Sequence, residues 1–166
     1  IERPDLLALL EEQAIENKDA RSIILSGQFP GLGSGDVDLF KAFAWRNWQV
    51  LRQGGRIGLV LPRAALVGNG MAPWRRIILE DGSFEDVCFL TNTGRWVFEG
   101  LHGQYGIGLT VICKGMSELV SFTSPFHSLD EMLLGRTDPT IVSKDEFAKW
   151  SDGVAFPQLP NQDSGL

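Results

Sequence analysis

The sequence predicts an α/β fold in which two strands run parallel and a third returns antiparallel. Three observations carry this. An apolar run without alternation, Arg56-Ile-Gly-Leu-Val-Leu, follows Gly54-Gly55 and stops at Pro62, as an inner strand buried on both faces of a parallel sheet does. The same order of helix, glycine and apolar run comes back at residues 72–79, Gly82 and residues 84–90. A third apolar run, residues 107–113, lies close enough in sequence to the second to pair with it antiparallel.

The elements follow in chain order. Residues 5–16 read as a helix capped by Asp5 after Pro4, with apolar spacing through Leu6, Leu9, Leu10 and Ile15 and fraying after Asn17. Residues 27–35 are a glycine-rich loop. A second helix starts at Asp36 or Asp38, whose carboxylates suit the positive end of the helix dipole. Its stripe runs Phe40, Phe43, Ala44, Trp48 and Leu51 up to the glycine pair. After the strand at 84–90 comes a loop rich in Thr, Asn and Gly. Two Ser-x-x-Glu boxes, Ser128/Glu131 and Ser143/Glu146, start two short helices beyond Gly115. Phe156-Pro-Gln-Leu-Pro-Asn has no periodicity and reads as an exit linker.

Composition narrows the class. With 43% hydrophobic and 22% charged residues and a mean hydropathy of −0.01, the chain has the make-up of a globular domain, and no apolar run approaches the ~20 residues a bilayer requires. Cys88 and Cys113 sit in apolar runs and read as reduced packing residues of a cytoplasmic protein. His102 and His127 are too few to complete a metal site with them. The chain opens on Ile1, and we expect it to be a piece of a longer protein.

The net charge of −6 is unevenly spread. Residues 1–38 and residues 117–166 each hold eight acids against three bases, whereas Arg52, Arg56, Arg63, Arg75 and Arg76 stand in a 28-residue stretch without an acid. The planar guanidinium fork suits phosphate and base edges. The same arginines could equally solvate helix faces.

Among the motifs, Gly31-Leu-Gly-Ser-Gly-Asp36 looks like a nucleotide loop, but it leaves no apolar strand and no ribose-binding acid follows ~20 residues on, so a surface loop is the better reading. No Walker lysine or nucleophile–base pair stands out, and His102 reads as a loop residue. Asn92-Thr-Gly-Arg-Trp-Val-Phe98 is more informative. Arg95, Trp96 and Phe98 lead into a strand, where the aromatics either cover the open end of the sheet or stack on a base.

Taken in order, Asp36-Val-Asp-Leu-Phe-Lys-Ala-Phe, Leu51-Arg-Gln-Gly-Gly-Arg-Ile-Gly-Leu-Val-Leu-Pro-Arg63, Trp74-Arg-Arg, Asn92 to Phe98 and Gln104-Tyr-Gly-Ile-Gly-Leu-Thr-Val-Ile resemble the second half of the catalytic domain of adenine-specific DNA methyltransferases. The closest look is to the large single-chain enzymes of restriction-modification and related phage-defence systems. The resemblance covers residues 35–115, with a weaker echo in Phe156-Pro-Gln-Leu-Pro.

The resemblance implies a partial class I S-adenosyl-L-methionine-dependent methyltransferase sheet, Rossmann-like. Residues 56–61 would be strand five, 84–90 strand six and 107–113 strand seven, inserted antiparallel between them, with flanking helices. Residues 1–34 would lead in, and residues 116–166 would be short helices and a linker toward a target-recognition region. Phe98 would stack on the extruded adenine, and Arg63, Arg75, Arg76, Arg95 and Trp96 would face double-stranded DNA. The family's cofactor loop and its Asn/Asp-Pro-Pro-Tyr/Phe tetrapeptide do not occur. S-adenosyl-L-methionine would therefore be held by the parent enzyme, a bacterial cytoplasmic protein, and the chain alone would carry no catalytic residue and transfer nothing. Its unpaired strand-five edge would favour self-association or be covered by the N-terminal segment. The alternative is a non-catalytic DNA- or protein-binding module reusing this half-fold.

Overall fold

The computed structural model describes residues 4–27, 29, 32, 37–115, 117–123 and 125–158. Helix α1, Pro4–Leu25, runs well past Asn17, because no glycine or proline interrupts it and Glu, Gln, Lys, Arg and Ala all sustain a helix. Leu6, Leu9, Leu10 and Ile15 are exposed, and among the described side chains of the helix only Ile24 reaches the core. The apolar spacing marked the helix and not what covers it. The glycine-rich motif at residues 31–36 lies outside the described residues except Leu32, which is buried in the core.

Asp38 caps helix α2, Leu39–Val50, accepting from Phe40 N at 3.3 Å. Ala44 and Trp48 point inward as expected. Phe43 does not: it is exposed, and Trp45 is buried in its stead. The buried arc follows Trp45 and Trp48, three residues apart, and Phe43 falls outside it.

Strand β1, Arg56–Pro62, helix α4, Ala72–Asp81, strand β2, Gly82–Thr91, and strand β3, Gly106–Lys114, match the expected elements to within two residues, with the one-turn helix α3, Ala64–Val67, between the first two. The chain adds strand β4, Leu119–Phe122, helix α5, Leu129–Gly135, strand β5, Thr140–Ser143, and helix α6, Lys144–Lys149. Ser128 and Ser143 cap α5 and α6, each hydroxyl accepting from the backbone N–H three residues on.

One sheet takes the order β1-β3-β2-β4-β5. Strand β3 is antiparallel to both β1 and β2, so those two run parallel with β3 between them. Strand β4 is parallel to β2, and β5 returns antiparallel to β4. The β2–β3 register slips between Phe84 and Asp86. The residue skipped there, Glu85, reaches across to β1 and grips Arg56 with two bonds of 2.6 and 2.8 Å.

Two strand expectations need correction. Strand β1 is not buried on both faces: its exposure alternates, Leu61 is buried and Val60 is 61% exposed. It stands at the sheet edge, with one face on the core and the other bare. The C-terminal stretch is not merely helices and a linker either. It supplies β4 and β5, each only four residues long and too short to display a pattern. Phe156 is buried there, with ring centroids 4.6 Å from Phe147 and 5.0 Å from Phe84.

The sheet has two unequal coverings. Phe84, Val87 and Phe89 of β2 and Ile112 of β3 join Trp45, Trp48, Trp74, Ile78 and Phe147 in the main core. Cys88 and Leu90, on the other face of β2, join Ile107 and Phe126 in a smaller cluster roofed by Trp96, Val97, Leu101 and Met132. Gly108 belongs to the close packing of α3, because a Cβ there would stand 2.5 Å from Leu66 Cδ1. Cys88 and Cys113 are both buried thiols, and burial pushes Cys88 up to about 11.

Removing the Phe156 ring should therefore act as a core truncation. We expect Phe156→Ala to lower the unfolding free energy by about 3–5 kcal/mol in urea titration; a loss below ~1 kcal/mol would mean that the tail is not docked.

Candidate functional site

Strands β1 and β2 are parallel, so their carboxyl ends at Pro62 and Thr91 open on the same side, and β3 must begin there at Gly106. Open sheets of this kind bind ligands outside those ends. The residues that close this end are the loop 92–105 and Arg63.

Asn92 organises the loop, and nothing in its residue pattern marks it for that role. Its side chain is completely buried. Its Oδ1 accepts from Val97 N at 3.2 Å and Phe98 N at 3.1 Å, and its Nδ2 donates to Phe98 O at 2.9 Å and Leu101 O at 3.0 Å. Gly94 and Arg95 are consecutive left-handed residues with φ of 77° and 60°, a fold of chain that glycine takes freely and arginine takes at a cost of roughly 1–2 kcal/mol. Trp96 then turns back under the loop, donating from Nε1 to Thr91 O at 2.7 Å. Phe98 faces out with 47% of its surface exposed, although it is apolar and its backbone is held at both N–H and C=O. Further along, Tyr105 is exposed, and His102, Gln104 and Tyr105 border an open cleft of about 540 Å³.

The arginines do not form one patch. Arg63 stands at the loop end: its N–H donates to Gly106 O at 2.9 Å, its stem lies against Gly106, and Nη1 donates to Gln158 Oε1 at 3.1 Å. Arg95 is exposed in the loop itself. Arg56 is taken by Glu85. Arg76 donates to Asp152 O and borders a different cleft with Glu80, Glu118 and Lys144. Lys144 donates to Gly82 O, so that cleft opens by the start of β2, at the other end of the sheet.

Arg75 is the clear departure from expectation. It is fully buried, donating from Nε to Val154 O at 2.8 Å, from Nη1 to Ala65 O at 2.8 Å, and from Nη2 to Gly68 O at 3.0 Å and Gly153 O at 2.6 Å. Burial, with a smaller push from Arg76, brings it down to about 10, which still leaves it charged at neutral pH. Four of its five N–H donors end on carbonyls, and a side chain this deeply buried cannot reach phosphate. Trp96 is likewise half-buried with its indole N–H committed, so it supports the loop more than it offers a face. Phe98, Arg63 and Arg95 remain together at the carboxyl end.

No family model matches the chain, and no curated protein does. Solved structures do. A chain of a type I restriction-modification system superposes with a TM-score of 0.53 at 15% identity, over 74% of this chain and 32% of that one. The type IIG restriction endonuclease BpuSI gives 0.54 at 18% identity, over 82% of this chain and 18% of its own. A modification subunit of a putative type I restriction enzyme from Vibrio vulnificus YJ016 gives 0.51 at 16% identity, over 81% and 33%. The likeness is one of fold. The chain spans between about a fifth and a third of those proteins' lengths. No helix among the described residues is long and apolar enough to cross a membrane, and no group of three or more His, Cys, Asp or Glu among them could hold a metal ion.

The two neighbouring arginines of α4 should behave oppositely. Arg75→Ala takes the guanidinium donor from four backbone carbonyls, of which Gly68 O keeps the Met71 N–H at 3.1 Å, and should lower stability by about 3–5 kcal/mol, whereas Arg76→Ala should stay within ~1 kcal/mol. Thermal unfolding of the two variants beside the wild type is the measurement, and equal small shifts would put Arg75 back on the surface.

Proposed function

We propose that this chain is the part of a DNA adenine-N6 methyltransferase, of the restriction-modification or phage-defence kind, that carries strands five to seven of a Rossmann-like sheet and the face on which the target base rests. Residues 35–115 would be the second half of the catalytic domain, extended by the strands and helices up to residue 158 toward a target-recognition region. The observation that carries the reading is Phe98: an apolar ring left half in solvent on a fixed backbone, at the carboxyl end of two parallel strands. The resemblance of ordered motifs and the fold shared with restriction-modification proteins support it.

The chemistry asks for such a ring. The exocyclic amine of adenine is out of reach inside a stacked duplex, so the base must leave the stack, and an aromatic face repays ~1–3 kcal/mol of what unstacking costs. Arg63 and Arg95 flank the same end and would hold backbone phosphate. S-adenosyl-L-methionine would supply the methyl group. The described residues do not fit it, since none of the four clefts they line joins a glycine-rich turn to an acid placed for a ribose. On this reading the donor and the amine-holding tetrapeptide belong to residues outside this sequence.

Two measurements test the reading. The 166-residue chain should leave unmethylated plasmid DNA unchanged when given S-adenosyl-L-methionine, while the full-length protein methylates adenine. In the full-length protein Phe98→Leu should fold normally and lose ten- to hundredfold in single-turnover rate, from ~1.4 kcal/mol per decade. Methyl transfer by the chain alone, or methylation of cytosine by the whole protein, would overturn the assignment.

The cations give a separate expectation. Replacing Arg63 and Arg95 with Ala should weaken binding to cognate and random duplex equally and flatten the salt dependence by up to ~2 units, at about 0.9 per phosphate lost. An unchanged slope would leave them as surface residues only.

A further inference from the structure

A fully buried asparagine side chain in a loop needs a reason, because four hydrogen-bonding positions must be matched without water. Asn92 matches all four, and three of its four bonds fall on the N–H of Val97 and the N–H and C=O of Phe98. The fourth, to Leu101 O, closes the far side of the same turn. The peptide groups on both sides of the Phe98 Cα are thus gripped by one side chain. The ring itself is left 47% exposed. Packing does not account for this: Trp96, Val97 and Leu101 already roof the small core, and the loop keeps a left-handed arginine to make the geometry. Such strain persists where the surrounding structure insists on one conformation.

We propose that Asn92 is the positioning residue of the base site, fixing the backbone of Phe98 so that its ring meets the extruded base already oriented. The inference rests on the reading that Phe98 stacks on a base. Its advantage is entropic: a ring ordered before the base arrives loses little freedom when it stacks.

The informative variant is Asn92→Asp. It keeps the shape and both acceptor positions for the Val97 and Phe98 amides, but an ionised carboxylate cannot donate and faces the carbonyl oxygens of Phe98 and Leu101. Protonation restores one donor, so the defect should fade as pH falls.

The experiment uses the full-length protein and two duplexes of one sequence, built around an adenine first mapped as methylated in plasmid DNA: the first keeps that adenine and reports the single-turnover rate, and the second carries 2-aminopurine there and reports the fluorescence. Relative to wild type at each pH, Asn92→Asp should lose about tenfold in both the 2-aminopurine fluorescence rise and the single-turnover rate at pH 8. KM for DNA should be unchanged, and most of the loss should be regained by pH 6. Asn92→Ala should lose as much and regain nothing. If Phe98→Leu slows the reaction but a folded Asn92→Asp protein keeps the wild-type rate at every pH, the positioning role falls and the base-stacking reading stands. If Phe98→Leu itself matches the wild type, both fall. Hydrogen exchange in the unmutated protein gives an answer even where a variant does not fold: the Val97 and Phe98 amides should be protected at least ~tenfold over open loop, and fast exchange there would overturn the role of Asn92.

Discussion

The rest of the structure depends on β3 being inserted antiparallel between two parallel strands. Two parallel strands have to be joined by a crossover, and that crossover, α3 and α4, occupies one face of the sheet. The strand between them can be reached from β2 only by a return at the carboxyl end. The loop 92–105 is thus forced to the end where parallel sheets bind ligands, and its apolar residues have the other face of β2 to lean on. Loop, second core cluster and candidate site are three results of one pairing choice.

Arg75 serves the same architecture from the opposite side. A buried cation is normally a liability, and it is tolerated here because four of its five N–H donors end on carbonyl oxygens. Those carbonyls come from two places far apart in sequence, the turn after β1 and residues 153–154. A side chain in the middle of α4 thereby fastens the end of the described chain to the crossover. The backbone bond from Phe156 N to Leu66 O at 3.1 Å continues the seam, and Leu66 in turn rests on Gly108 of β3. Arginine suits the job because its fork reaches several acceptors in one plane.

How much of this was legible in the sequence follows from the range of each signal. Punctuation is local, so the glycine- and proline-bounded strands and the serine caps of α5 and α6 could be read directly. The loop of the candidate site could be located too, since Arg95, Trp96 and Phe98 stand where a turn meets a strand. What failed was whatever a distant partner decides. Arg75 and Arg76 are adjacent and look alike, and only the arrival of residues 153–154 makes one of them core. Phe43 and Trp45 differ by two positions on a helix whose buried arc is set by what packs against it. The apolar run of β1 looks identical whether one face or both are covered. Asn92 was visible as a turn residue, but its four bonds end on atoms of the backbone, which no choice of neighbouring residue type betrays.

That last point has a consequence for how such a site can change. The grip of Asn92 is on peptide groups common to every amino acid except proline, and never on the side chain it displays. The residue at position 98 can therefore be exchanged for another ring, a smaller group or a polar one without disturbing the turn that carries it. Presentation and contact are separable in this loop: the mount is general, the surface mounted on it is replaceable, and a change in what that surface meets would need alteration of the second without rebuilding the first.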